Sequence, residues 1–295
     1  MTRIERYGWR GPVEPGIGRV VSAHGDYYHL VCNECPEGEI LARKKKSAFA
    51  YRRRVVRETQ AAFARSQRAD ENAELVTPVT GDFVRFRYNA RGESLITEIL
   101  PRFSHFERKD PTAKRKAQTL AVNFDTLFVM MSLNEDFSTA RIARYLALAE
   151  EMDGGEAVVV VTKVDLRQDG DAAFLDELRE TVGGRARILE ISSLTGEGLD
   201  DVRAYARPGR TLAFIGSSGV GKSTLLNTLA GAEWAATQEI QAWSGRGRHT
   251  TTSRELAMLP SGAMVIDTPG IREIGRVGEM DVIQAKGESS HRWRK

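Results

Sequence analysis

Cysteine is nearly absent from this chain, with only Cys32 and Cys35 among its 295 residues. Two are too few for a disulfide framework, and their scarcity suits a reducing compartment. Long apolar runs are missing too: no stretch approaches the roughly 18 residues that a membrane span requires. The opening MTRIERYGWRGPVEP carries charges without the apolar core of a secretory signal. A soluble, cytoplasmic protein with no membrane partner is therefore expected, and nothing suggests more than a monomer. There is no internal repeat and no low-complexity segment. With 41% hydrophobic and 28% charged residues, the chain is neither disordered nor fibrous and has enough apolar material for two globular units.

Acidic residues are scarce in one place. Between Leu41 and Arg68, ten Lys or Arg face the single acid Glu58. Charge runs are most often solvated faces. Interleaved with Phe49 and Tyr51, this one equally suits a polyanion, bound with a strong salt dependence.

From Gly18 to about Leu100 short apolar runs alternate with turn residues: IGRVVSAHG, YYHLVC, ILARKKKSAFAY and GDFVRFRYNARGESLITEIL. In the last, Val84, Phe86 and Tyr88 alternate with Arg85 and Arg87 ahead of a turn, the pattern of a half-buried hairpin. About five strands in this length predict a small β-barrel of the OB-fold type, a frequent nucleic-acid binder. After the basic connector PRFSHFERKDPTAKRKAQ the texture changes to apolar strands alternating with amphipathic helices. Runs such as Val158 to Val161 indicate strands covered on both faces, hence a mainly parallel sheet with helices on each side.

The chemistry is concentrated in a few loops. Gly216, Gly221, Lys222 and Ser223 satisfy G-x-x-x-x-G-K-[ST] between the apolar strand TLAFI and the helical STLLNTLA, the context that marks a P-loop. Its residues Gly216, Ser217, Ser218, Gly219, Val220, Gly221, Lys222, Ser223 and Thr224 are expected to cradle phosphates through backbone N–H groups and the helix N-terminus. Lys222 would reach the β- and γ-phosphates, and the Ser223 hydroxyl would bind Mg2+. Downstream, VIDTPG puts Asp267 at a strand end as a second Mg2+ partner and Gly270 where its N–H can meet the γ-phosphate. Thr251, chosen among Thr250, Thr251 and Thr252, is the third metal candidate. TKVD offers Lys163 as a stem to pack on a base and Asp165 to accept two hydrogen bonds from guanine, with Thr162 beside them. SSLTGEG adds Ser192, Ser193 and Leu194 as the loop facing the guanine oxygen. The pair of base-reading segments argues against ATP.

These base-reading segments precede the P-loop, whereas a Ras-like GTPase has them after its Mg2+ segment. A circular permutation produces this order and preserves the site if the old termini were close together at the surface.

The series GDFVRF, ILPRFSHFERKD, QTLAVNFDTLFVMMSLNEDFS, TKVDL, SSLTGEGLD, IGSSGVGKSTLLNTL, GRGRHTTTSREL and VIDTPGIREIG resembles the RsgA/YjeQ family of circularly permuted GTPases. The resemblance implies an OB-fold over residues 1–105 and a permuted P-loop GTPase domain over 106–278, with hydrolysis of GTP to GDP stimulated by the small ribosomal subunit. It also implies a role in that subunit's late maturation and turns the basic block toward ribosomal RNA. Ile271 stands where Ras-like enzymes carry a water-positioning Gln; His249 is the family-consistent candidate for that task, the alternative being a switch-loop histidine that packs or contacts RNA. The family's C-terminal zinc cluster has no counterpart in the tail 279–295, which holds no cysteine and only His291. The alternative function is therefore a nucleotide-gated RNA-binding module whose hydrolysis is incidental.

Two smaller expectations complete the reading. His24, His29, Cys32 and Cys35 stand within twelve residues, and either hold zinc or are free thiols in a strand turn with solvent-facing histidines. Gly219 occupies the P-loop position where potassium-stimulated GTPases carry Asn, so that mode of potassium activation is not expected.

Overall fold

The computed structural model describes residues 1–35, 37–44, 49–51, 74–108, 118–133, 137–168, 171–231 and 255–267. After a short helix, α1 (Arg3–Arg6), come β1 (Ile17–His24), β2 (Tyr27–Cys32), β3 (Ile40–Lys44), β4 (Phe49–Tyr51), β5 (Glu74–Val76), β6 (Phe83–Arg87) and β7 (Ser94–Ile99). β1 pairs antiparallel with both β2 and β6, β2 with β3, and β7 with β6, while β3 and β7 run parallel. The circuit β1-β2-β3-β7-β6 therefore closes on itself, as the expected five-stranded barrel. Alternate residues fill it: Val20, Tyr28, Leu30, Cys32, Val84, Phe86 and Ile96 form one buried cluster. Tyr88 departs from the expected alternation. β6 ends at Arg87, so Tyr88 falls in the turn and is exposed. The run ILARKKKSAFAY contributes β3 to the barrel and β4 to a separate ribbon with β5.

Within the basic connector β8 (His105–Arg108) forms, and it pairs antiparallel with β9 (Gln118–Val122). The second layer set follows: β10 (Thr126–Ser132), α2 (Thr139–Glu150), β11 (Glu156–Thr162), α3 (Asp171–Val182), β12 (Arg187–Glu190), α4 (Leu199–Arg203), β13 (Thr211–Gly216), α5 (Lys222–Ala230), β14 (Glu255–Met258) and β15 (Met264–Asp267). Its strands lie in the order β12-β11-β10-β13-β15-β14, all parallel except β14. The pleat sorts their side chains. Leu127, Val129, Met131, Val159, Val161, Ala213 and Ile215 pack beneath α2 and α3. Phe128, Met130, Val158, Val160, Leu212 and Phe214 pack against α4 and α5. Both faces are covered, which explains why these strands read as continuous apolar runs.

β14, which the sequence pattern missed, pairs antiparallel with β15 and meets β1 through Ser22 and Glu255, joining sheet to barrel. A register shift between Val20 and Ser22 bends β1 at this junction. Beside it Arg19 is fully buried. Its guanidinium donates to the carbonyls of Tyr7 (2.6 Å) and Asn123 (2.8 Å) and to the Thr211 hydroxyl (3.0 Å), and lies 4.8 Å from the Phe83 ring centroid. Burial pushes its pKa down to about 9, opposed by Asp125 and Asp82. It is thus charged at neutral pH, and these acceptors replace its water. Among the described residues no helix is long and apolar enough to cross a membrane.

Candidate functional site

β13 is central in its sheet, so the loop that leaves its C-terminal end opens at the crevice where doubly wound sheets bind ligands. Gly216 ends the strand, and a Cβ there would lie 2.8 Å from the Met130 carbonyl oxygen, so only glycine lets β10 and the loop approach this closely. The chain then turns through Gly219 (φ +78°) and Gly221 (φ +92°), left-handed conformations natural to glycine, and enters α5. Residues 216–224 curl around a cavity of about 410 Å3, closed on one side by Lys163. Among the described residues its lining includes Lys163 and Lys222 and no carboxylate. Two cations and the N-terminus of a nine-residue helix favour a polyphosphate.

The two segments that the sequence offers for base reading leave the ends of the next strands. β11 ends at Thr162, Lys163 adopts a left-handed conformation (φ 61°), and a 3-10 turn over Val164–Leu166 presents Asp165 to solvent. The Thr162 hydroxyl points back to the P-loop, donating to the Val220 carbonyl at 2.6 Å. Thr162, expected beside the base, thus ties the segment it opens to the phosphate loop. The Ser192 hydroxyl donates to Asp165 Oδ1 at 2.5 Å and accepts the N–H groups of Leu194 (3.2 Å) and Thr195 (3.1 Å). That leaves Asp165 Oδ2 and the outer lone pairs of Oδ1 for a ligand, held at a fixed angle. Ser193 is half-buried and Leu194 is 84% exposed at the rim.

Asp267 closes β15, one residue beyond the Ala213–Ile266 pair that aligns this strand with β13. This brings a carboxylate-bearing residue to the same end of the sheet as Ser223, whose exposed hydroxyl lines the cavity mouth. Hydroxyl and carboxylate are hard oxygen donors of the kind Mg2+ takes. His249, Thr250, Thr251, Thr252, Gly270 and Ile271 lie outside the described residues, as does most of the basic block and the tail from 279.

The four residues offered for zinc are not brought together. Among the described residues no group of three or more His, Cys, Asp or Glu is placed to hold a metal. The pleat is the reason. Cys32 points into the barrel core with Tyr28 and Leu30, whereas His29, three residues earlier on β2, faces the other way and meets Glu39 at 3.2 Å. Burial pushes the Cys32 thiol up to about 11, the wrong direction for a zinc thiolate. His24 sits exposed at the far end of the hairpin, and the Cys35 thiol contacts the Glu37 carbonyl.

Comparison with known proteins identifies the family and supports the fold. The sequence model of a family described as RsgA GTPase matches residues 99–277. A small ribosomal subunit biogenesis GTPase RsgA from Leptospira interrogans is 36% identical over 283 residues, spanning 92% of this chain and 71% of that protein. A small ribosomal subunit biogenesis GTPase RsgA 2 from Lactiplantibacillus plantarum is 37% identical over 258 residues, covering 88% and 66% respectively. Among solved structures, YjeQ from Thermotoga maritima superposes with a TM-score of 0.58 at 25% identity, over 86% of this chain and 74% of its own. YloQ, described as a circularly permuted GTPase, gives a TM-score of 0.51 at 21% identity, over 86% and 70%, and supports the fold.

Proposed function

Because this chain belongs to the RsgA GTPase family, we propose that it hydrolyses GTP to GDP and phosphate while bound to the small ribosomal subunit, and assists the late maturation of that subunit. The observation that supports this reading is the bond from Thr162 to Val220, which fastens the segment offered for base reading to the glycine-rich loop around the cationic cavity.

In this reading Asp165 accepts the two N–H groups of the guanine edge and the Lys163 stem packs on the ring. Lys222 and the loop N–H groups stabilise the charge that gathers on the phosphoryl group as water displaces GDP. Ser223, Thr251 and Asp267 would hold Mg2+, an ion that neutralises charge on the β- and γ-phosphate oxygens when bound. Gly270 meets the γ-phosphate, and His249 orients the attacking water, the task Ile271 cannot perform. The barrel, 1–105, supplies RNA contacts and the GTPase unit, 106–278, supplies hydrolysis.

The test is the GTP turnover of the purified chain, alone and with added small subunits, at two salt concentrations. Salt-sensitive stimulation is expected. GTP binding without stimulation would instead favour a nucleotide-gated RNA-binding module. Lys222→Ala should abolish turnover, and near-normal rates in that variant would sink the assignment.

A further inference from the structure

The parallel strands have a second end, and it is not bare. Where β10, β11, β12 and β13 begin, a cleft of about 530 Å3 opens between the N-terminal segment, the loop before β10 and the α4–β13 loop. β13 is six residues long, so this cleft lies about 20 Å from the P-loop at roughly 3.3 Å per residue. Ligand sites of doubly wound sheets occupy the carboxyl ends of the strands, so this cleft is separate from the nucleotide site in both place and lining.

Its lining holds four arginines, Arg10, Arg187, Arg207 and Arg210, against two carboxylates, Asp125 and Glu156. Asp125 is already engaged by cations, and Glu156, exposed at the edge, leaves the arginines in excess. Asp125 accepts from Arg10, from Arg210 at 2.6 Å and from the Thr211 N–H at 2.8 Å. Glu156 accepts from the Thr126 hydroxyl at 3.3 Å. Asp125 thereby fixes two guanidiniums on one wall, each still about half exposed. Arg187, at the start of β12, also lines the cleft and is tied at the surface to Asp201 at 3.1 Å. Arg207 has no ion-pair partner among the described residues and is exposed. Two aromatic rings flank these cations: Phe103, over which Arg10 stacks at 4.1 Å, and the half-buried Tyr205.

Preset guanidinium forks match phosphate oxygens bidentately. Arginines spread along an open cleft and interleaved with aromatic faces suit a chain of phosphates bearing bases more than an isolated anion. We propose that this cleft is a second docking surface for RNA, with Arg187, Arg207 and Arg210 on the phosphodiester backbone while the nucleotide occupies the opposite end of the sheet. The identity of that RNA as ribosomal rests on the function proposed above; the surface itself does not. Arg10 belongs to the segment that leads into barrel strand β1, so RNA held here would touch the GTPase sheet and the barrel approach together.

The experiment uses the full chain with two probes, intact small ribosomal subunits and protein-free small-subunit ribosomal RNA, and measures affinity against salt. Arg187→Glu/Arg207→Glu should weaken binding to both probes about 10- to 100-fold at 0.1 M salt and make the log–log salt dependence shallower by about two. Basal GTP turnover and melting temperature should not change, and Arg187→Lys/Arg207→Lys should bind nearly as the parent does. If the double variant is damaged in folding, Arg207→Ala, which breaks no ion pair among the described residues, should still lower the slope by about one. Unchanged affinity and slope for both probes would overturn the inference. Loss of subunit binding alone, with RNA binding intact, would overturn it in favour of a ribosomal protein. A parent chain that binds RNA through these arginines but ignores subunits would sustain the cleft and sink the proposed ribosomal role. Subunit-stimulated turnover that survives charge reversal with unaltered binding would do the reverse.

Discussion

The hydroxyl of Thr162 donates to the carbonyl of Val220 at 2.6 Å, bridging 58 residues of chain. Val220 is the P-loop residue just before Gly221, and Thr162 is the last residue of β11, just before the base-reading turn. Both side chains are buried, so the bond is shielded from water. Thr162→Val keeps the shape and leaves the Val220 carbonyl without that donor, at a cost of about 1–3 kcal/mol. Guanine nucleotide affinity should fall about 5- to 100-fold, as read by fluorescent GDP titration, with melting temperature falling in step. Unaltered affinity would mean that the two segments are positioned by packing alone.

Asp165 is held by Ser192, and the two should be separable. In the proposed site, Asp165→Asn would replace an acceptor with a donor toward the guanine edge, and Ser192 would still be able to bond the remaining amide oxygen. Loss of the preference for GTP over ATP is expected, by tenfold or more given about 1.5–3 kcal/mol for hydrogen bonds to a charged group. Ser192→Ala removes the bond that orients the carboxylate and leaves the carboxylate itself. It should weaken GTP binding by less than Asp165→Asn while retaining the base preference. Competition binding with GTP and ATP measures both.

Arg102 grips Asp82 with two parallel bonds, Nε to Oδ1 at 2.7 Å and Nη2 to Oδ2 at 2.8 Å, and both side chains are almost wholly excluded from solvent. Asp82 also accepts the Val79 N–H at 2.8 Å. Removing only the cation strands a buried carboxylate, so Arg102→Met should destabilise the chain by about 3–5 kcal/mol. Asp82→Asn/Arg102→Met should recover part of that loss, because the amide oxygen still accepts from Val79 and no carboxylate is stranded, while Arg19 keeps Asp125 as its compensating charge. Urea unfolding of the three proteins decides it; equal stability of the single and double variants would show that the ion pair is not the source.

What the sequence made legible was whatever a local pattern could carry. Val158 to Val161 announced a strand covered on both faces, and the P-loop motif announced a strand, a loop and a helix in that order. Arg19 carried no such signal: between Gly18 and Val20 it reads as an outward strand residue. Its burial comes from Thr211 and Met264, which are distant in the chain. β14 was hidden for a related reason, since ELAM is short and its strand character comes from pairing with β15 and β1. The proposed zinc set failed on the pleat, because a spacing of three suits a turn, whereas on β2 it sends His29 and Cys32 to opposite faces. The arginine cleft was illegible because its four cations come from three separate stretches of sequence, each unremarkable alone.

The two thiols should behave very differently. Cys32 is fully buried in the barrel, and burial pushes its pKa up from 9.0 to about 11, whereas Cys35 is partly accessible. Thiolate is the reactive form, so at pH 8 an aromatic disulfide reagent should modify one thiol per chain quickly and the second only on unfolding. The same shift sets a pH dependence. A thiol whose folded pKa lies above its unfolded value contributes stability that is fully present below pH 9 and is lost as the pH rises toward 11. Cys32→Ala should abolish that part of the alkaline slope, because no thiol remains to ionise on unfolding, while lowering stability at neutral pH through the vacated core position. Cys35→Ala should abolish the fast reaction and leave the slope intact. Rapid modification of both thiols in the native protein would mean that the barrel opens at β2 far more readily than its closed circuit of strands allows.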